Sequence, residues 1–114
     1  MLTVDALRRI GVNTEEGLGR CLNNEAFYLR LVNMALDDAA FERLADAVRS
    51  GDTQAAFEAA HALKGSLGNL ALTPVYAPVA ELTELLRAGK TDGSAALLEE
   101  ILRQRDALTA LRED

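Results

Sequence analysis

Several residue types are scarce in this chain of 114 residues, and each scarcity removes a class of protein. Cys21 is the single cysteine, so one chain can form neither an internal disulfide nor a thiolate metal cluster, which fits a reducing compartment. Aromatic residues make up 4% and proline occurs twice, while alanine and aliphatic residues supply most of an apolar content of 49%. That mixture favours helix over sandwich or barrel, and the expected class is all-α. Positive charge is also short, with 12 Lys and Arg against 18 Asp and Glu, for a net charge of −6. No basic run makes a local exception, so nucleic acid and anionic lipid are unsuitable partners. Long apolar runs are missing too. The longest uncharged stretch, residues 65–80, carries Asn69, Thr73, Pro74 and Pro78 and does not read as a membrane span. The opening Met-Leu-Thr-Val-Asp lacks the basic and apolar regions of a signal peptide, so a cytoplasmic protein is expected. The length suits one domain, residues 1–114, with a core bundle over about residues 24–112.

What is present is helical periodicity. Thr3 or Asp5 starts a short helix that stops at Gly11, and Thr14 with Glu15 and Glu16 starts another brief segment towards Cys21. Asn23 or Asn24 caps a stronger helix with Phe27, Leu31 and Met34 on one stripe. Phe41, Leu44, Ala45 and Val48 repeat the pattern until Ser50 and Gly51 end it. Asp52 or Thr53 caps the next helix, which runs through His61 to about Leu72, where Thr73-Pro74 forces a boundary. The following helix carries Val79, Leu82, Leu85 and Leu86 and stops at Gly89, with Pro78 predicting a kink or a late regular start. The last, from about Ser94 to Arg112, aligns Leu97, Ile101, Leu108 and Leu111. Long helices joined by short connections predict an antiparallel up-and-down four-helix bundle with short extra helical segments at the N-terminus.

One helix departs from the simple pattern. Projection of residues 55–72 gathers Ala56, Ala60, Leu63, Leu67 and Leu70 into an apolar sector, and His61 falls roughly 140° from its centre, on the side of Glu58, Gly65 and Gly68. His61 is therefore predicted to face solvent or a partner. Gly65 and Gly68 each cost about 1 kcal/mol relative to Ala in a helix interior, which a purely structural helix avoids. Helical side chains lean towards the N-terminus, so Gly65 leaves His61 uncovered and Gly68 is expected to extend the bare strip. Lys64, three residues on, repels a protonated ring but attracts a phosphoryl group bearing nearly two negative charges. That attraction amounts to about 1 kcal/mol per unit charge at 4 Å in water and up to about 4 kcal/mol at a partly shielded surface. Imidazole keeps a large neutral fraction near pH 7 and is a nucleophile in that form.

The run from His61 to Leu70, His-Ala-Leu-Lys-Gly-Ser-Leu-Gly-Asn-Leu, resembles the signature of histidine-containing phosphotransfer (HPt) domains, the intermediates of multistep phosphorelays. The resemblance implies a four-helix bundle in which His61 is the phosphoacceptor, Lys64 assists the phosphoryl group, and Gly65, with Gly68 nearby, gives a receiver domain room to approach. The expected partners are response-regulator receiver domains, a hybrid sensor histidine kinase, or both. No cofactor of the chain's own is implied, because Mg²⁺ sits on the receiver. A monomer is expected, and the Met1 start and short tail lean towards a free-standing protein over a fragment of a hybrid kinase. Neither a P-loop nor glycine-rich nucleotide boxes are present, so the chain is expected to be a phosphoryl-transfer intermediate without ATP-dependent kinase activity. One departure stands out: family members commonly have glycine where this chain has Ala71.

Plainer readings compete at several positions. Glu58-x-x-His61 matches half of a di-iron motif, but such sites need a second motif and inward-facing ligands. A Cys21–His61 nucleophile pair lacks any oxyanion-hole signature. Ser66 reads as a small helix-contact residue, Asn69 as a partner contact or a solvated side chain, and Phe57 as core-edge packing or docking. A module that binds receivers without carrying phosphate is the alternative function, since the same surface serves both roles.

Overall fold

Short polar side chains open four of the helices. In the computed structural model, which describes residues 1–113, Thr3 accepts the Ala6 amide to start α1 (Val4–Arg9), and Asn13 accepts the Glu16 amide to start α2 (Thr14–Arg20). Asn24 and Asp52 do the same for α3 (Glu25–Leu36) and α5 (Thr53–Asn69), each satisfying an amide that the first helical turn leaves free. Between them α4 spans Ala40–Ser50; α6 (Thr73–Arg87) and α7 (Ser94–Ala110) follow, and a 3₁₀ turn over Leu111–Glu113 closes the described chain. Among the described residues there is no strand, and no helix is long and apolar enough to cross a membrane.

Four helices form a ring: α4 packs on α5, α5 on α6, α6 on α7, and α7 returns to α4. Phe41 and Leu44, Leu63 and Leu67, Val75, Val79 and Leu82, and Ile101 and Leu108 are buried completely inside it. The core continues without a break through Val32 and Tyr28 of α3 to Leu7 and Leu2 at the N-terminus. Each such leucine, cut to alanine, would cost about 2–5 kcal/mol through lost burial and the cavity left behind.

Helix ends reveal a common device. After α4 the chain turns at Gly51, φ +77°, with the Asp52 amide returning to the Ala47 carbonyl at 2.9 Å. After α5 the same turn is made by Ala71, φ +56°, with Leu72 N donating to Leu67 O at 3.0 Å and Ala71 N to Gly68 O at 3.1 Å. This left-handed turn ordinarily takes glycine, because a Cβ crowds the following carbonyl. It also ends α5 at Asn69, short of the predicted Leu72.

Two expectations need correction. The predicted stripe of α3, Phe27, Leu31 and Met34, is not its buried face: Phe27 and Met34 are 37% and 62% exposed, and Tyr28, Val32, Ala35 and Leu36 are buried instead. The rotation is fixed by Tyr28, whose hydroxyl donates to Leu70 O at 3.0 Å. Gly17 of α2 permits the close fit, since a Cβ there would lie 2.5 Å from the Tyr28 ring. Secondly, of the two outcomes expected of Pro78, a kink or a late start, the late start does not occur. Helix α6 begins at Thr73 and includes Pro78, whose missing amide hydrogen leaves the Pro74 carbonyl without its usual helical donor.

Candidate functional site

His61 stands two turns into α5, on the face opposite Ala56, Ala60, Leu63 and Leu67, which anchor the helix in the core. That anchoring turns the imidazole outward, and the residue is exposed. One turn earlier the half-buried Phe57 ring stacks on the imidazole, centroids 5.7 Å apart and planes inclined by 14°. The imidazole is thus backed by an aromatic face on one side and open to solvent on the other. No hydrogen bond to another described residue fixes the ring's tautomer.

The two glycines of the predicted strip serve different purposes. At Gly65, exposed and one turn after His61, a built Cβ would meet nothing within 4 Å. Packing gives no reason for a glycine there, and the surface beside the imidazole is bare. Gly68 does not extend that bare surface. A Cβ at 68 would lie 2.8 Å from Tyr76 Cε1, so this glycine lets the Tyr76 ring of α6 lie against α5. The Gly68 carbonyl also accepts from Arg20 of α2 at 2.6 Å, tying the N-terminal segment to the end of α5.

Lys64 brings its Nζ within 3.5 Å of Glu84 Oε2 on α6. Arg87, one turn after Glu84, donates to the same carboxylate and lays its guanidinium over Phe57, 5.1 Å from the ring centroid. Partial desolvation works to raise the Glu84 carboxyl, but hydrogen bonding and charge from Arg87 and Lys64 outweigh it and hold the group below its ordinary value. Sequence reasoning did not reach Glu84, Arg87 or Tyr76, which join the site only when α6 packs on α5. The Glu84/Arg87 spacing was visible, but nothing in it pointed to His61.

Other sequence candidates stay apart from this group. Ser66 is half-buried and donates to Leu63 O at 3.3 Å within its own helix. Asn69 is exposed and lines a shallow groove with Leu31, Met34 and Asp38. Glu58 accepts from Gln54, and among the described residues no cluster of three or more His, Cys, Asp or Glu converges on a metal position. Cys21 is buried and acts on the Tyr28 phenol, and no contact joins it to His61 among the described residues.

The site is thus an exposed helical histidine with a lysine one turn on and open space beside it at Gly65. A family model described as Hpt domain matches residues 30–114. The chain belongs to the Hpt domain family. No curated protein and no solved structure matches it. As an Hpt domain it takes part in phosphorelay, or two-component, signalling, where such domains interact with receiver domains and kinases. The family match begins inside α3, so α1 and α2 lie outside it; α2 is joined to the matched region through Gly17, which seats Tyr28 against Leu70, and through Arg20.

Proposed function

We propose that this Hpt domain carries a phosphoryl group on His61 between receiver-domain aspartates in a multistep phosphorelay. The observation that carries the reading is the exposed imidazole of His61 beside an unfilled surface at Gly65. A nitrogen lone pair of the neutral ring attacks the phosphorus of an aspartyl phosphate, the N–P bond forms, and the aspartate leaves with the electrons of the broken P–O bond. Passing the group on reverses these changes. Lys64 supplies positive charge beside the transferring group. The chain needs no cofactor of its own, because the Mg²⁺ that neutralises the phosphoryl belongs to the receiver.

The four ring helices run alternately up and down, which the short α4–α5 and α5–α6 connections favour. The receiver docks on the open strip of α5 and reaches the apolar edge of α3, where Phe27 and Met34 are exposed and the half-buried Leu31 lines, with Met34, Ser66 and Asn69, the groove that joins α3 to α5. The domain works as a monomer in the cytoplasm, with a receiver protein or hybrid sensor kinase on either side.

Incubating the purified chain with a phosphorylated receiver and Mg²⁺ tests this. Acid-labile, alkali-stable label on the chain is the expected result. Tight receiver binding with no label at any time contradicts it and leaves a module that only occupies receivers.

A further inference from the structure

On α5 and α6 lies a charge cluster of which the transfer step above uses only Lys64. Glu84 holds two cations at once: Lys64 Nζ is 3.5 Å from its Oε2, and Arg87 Nε donates to both of its oxygens at 3.3 Å. The Arg87 guanidinium also rests on Phe57, which itself stacks on the imidazole. The Glu84 and Arg87 side chains are about half exposed, so both can turn without disturbing the core. A free carboxylate at this position would repel an incoming group of nearly two negative charges. Here the carboxylate is occupied by the two cations the phosphoryl would attract.

We propose that Arg87 is a second phosphoryl-binding cation beside Lys64, and that Glu84 is a positioning residue that holds both cations at the rim of His61 until the phosphoryl group arrives. The inference rests on His61 being the phosphoacceptor. Arrival changes the competition, because the carboxylate offers one negative charge and the phosphoryl group offers nearly two, spread over three oxygens. A planar guanidinium takes two of those oxygens side by side, while the Lys64 ammonium acts as a point charge. No covalent bond changes in the exchange of ion pairs. The N–P bond has already formed from the ring nitrogen's electron pair, with the donor's leaving group carrying off the other pair. The remaining charged neighbour on α5 is Glu58, three residues before His61, which accepts from Gln54.

Phosphorylating the full chain with phosphoramidate and titrating it by ³¹P NMR reads the pH at which the phosphoryl group on His61 takes up a proton. Nearby cations lower that pH. Arg87→Ala should raise it by about half a pH unit, and Arg87→Lys should recover part of the shift. Glu84→Gln should lower it by a similar amount, and by less in an Arg87→Ala background, because the two residues act on the group together. Titrations identical to wild type in both single variants overturn the inference while leaving His61 as the acceptor. Fully additive shifts reduce Glu84 to a bare charge and overturn its positioning role. A wild-type chain that takes no label overturns the acceptor reading itself, and this inference with it.

Discussion

Phe57 stacks on His61, with ring centroids 5.7 Å apart and planes within 14° of parallel. The ring packs against the core edge, so it backs the imidazole with a surface that is itself held in place. Phe57→Leu keeps most of the buried volume, and should change stability by less than about 1.5 kcal/mol. It removes the flat platform, so transfer to His61 should slow several-fold. Stopped-flow transfer kinetics beside thermal melts check this, and wild-type rates in Phe57→Leu would show that the stack does not position the imidazole.

The two glycines of α5 should respond oppositely to alanine. Gly65→Ala places a methyl in open space and adds helix propensity, so it should stabilise the fold by about 1 kcal/mol. Gly68→Ala drives a methyl into Tyr76, and the strain should exceed the propensity gain, for a net loss of about 1 kcal/mol. Denaturant melts distinguish the two. Gly65→Leu should also leave the bundle folded while slowing transfer by covering the imidazole, and an unchanged rate would count against the open-surface explanation of this glycine.

Ala71 adopts the left-handed conformation that Gly51 and Gly89 supply at other helix ends. Ala71→Gly relieves a backbone cost of about 1–2 kcal/mol, offset by a lost buried methyl and greater freedom in the unfolded chain. The net expectation is stabilisation by roughly 0.5–1 kcal/mol, seen as a rise of a few degrees in Tm. A lower Tm would mean that the buried methyl outweighs the strain.

Tyr28 is fully buried, and desolvation, with a smaller contribution from Cys21, pushes its phenol up to about 12 from an ordinary 10.0. A group raised in the folded state contributes stability that is fully present below pH 10 and is lost as pH climbs through about 12. Denaturant melts should therefore weaken over that window. Tyr28→Phe should flatten the alkaline loss and cost about 1 kcal/mol at pH 7 through the missing bond to Leu70. An alkaline profile identical in wild type and Tyr28→Phe would contradict the assignment.

How far the sequence revealed this molecule depends on which forces were local. Helix starts at Thr3, Asn24 and Asp52 were legible to within a residue or two, because a cap acts on amides two or three residues away. So was the outward turn of His61, since Ala56, Ala60, Leu63 and Leu67 fix the rotation of α5 by themselves. The rotation of α3 was not legible. It has apolar residues on two faces, and the choice between Phe27 and Tyr28 is made by a hydrogen bond to Leu70, 42 residues away. Gly68 looked like Gly65 on the helical projection, and only the Tyr76 ring from α6 separates their roles. The Lys64–Glu84–Arg87 cluster escaped for the same reason, since it exists only across a helix interface.

The central claim is that His61 itself bears the phosphoryl group. The most direct measurement compares wild type and His61→Gln after exposure to a phosphorylated receiver and Mg²⁺, with the label tested for acid lability and mapped to its residue. Label on His61 in the wild type and none in a folded His61→Gln is the predicted result. Label that persists in His61→Gln, or maps to another residue, would contradict it.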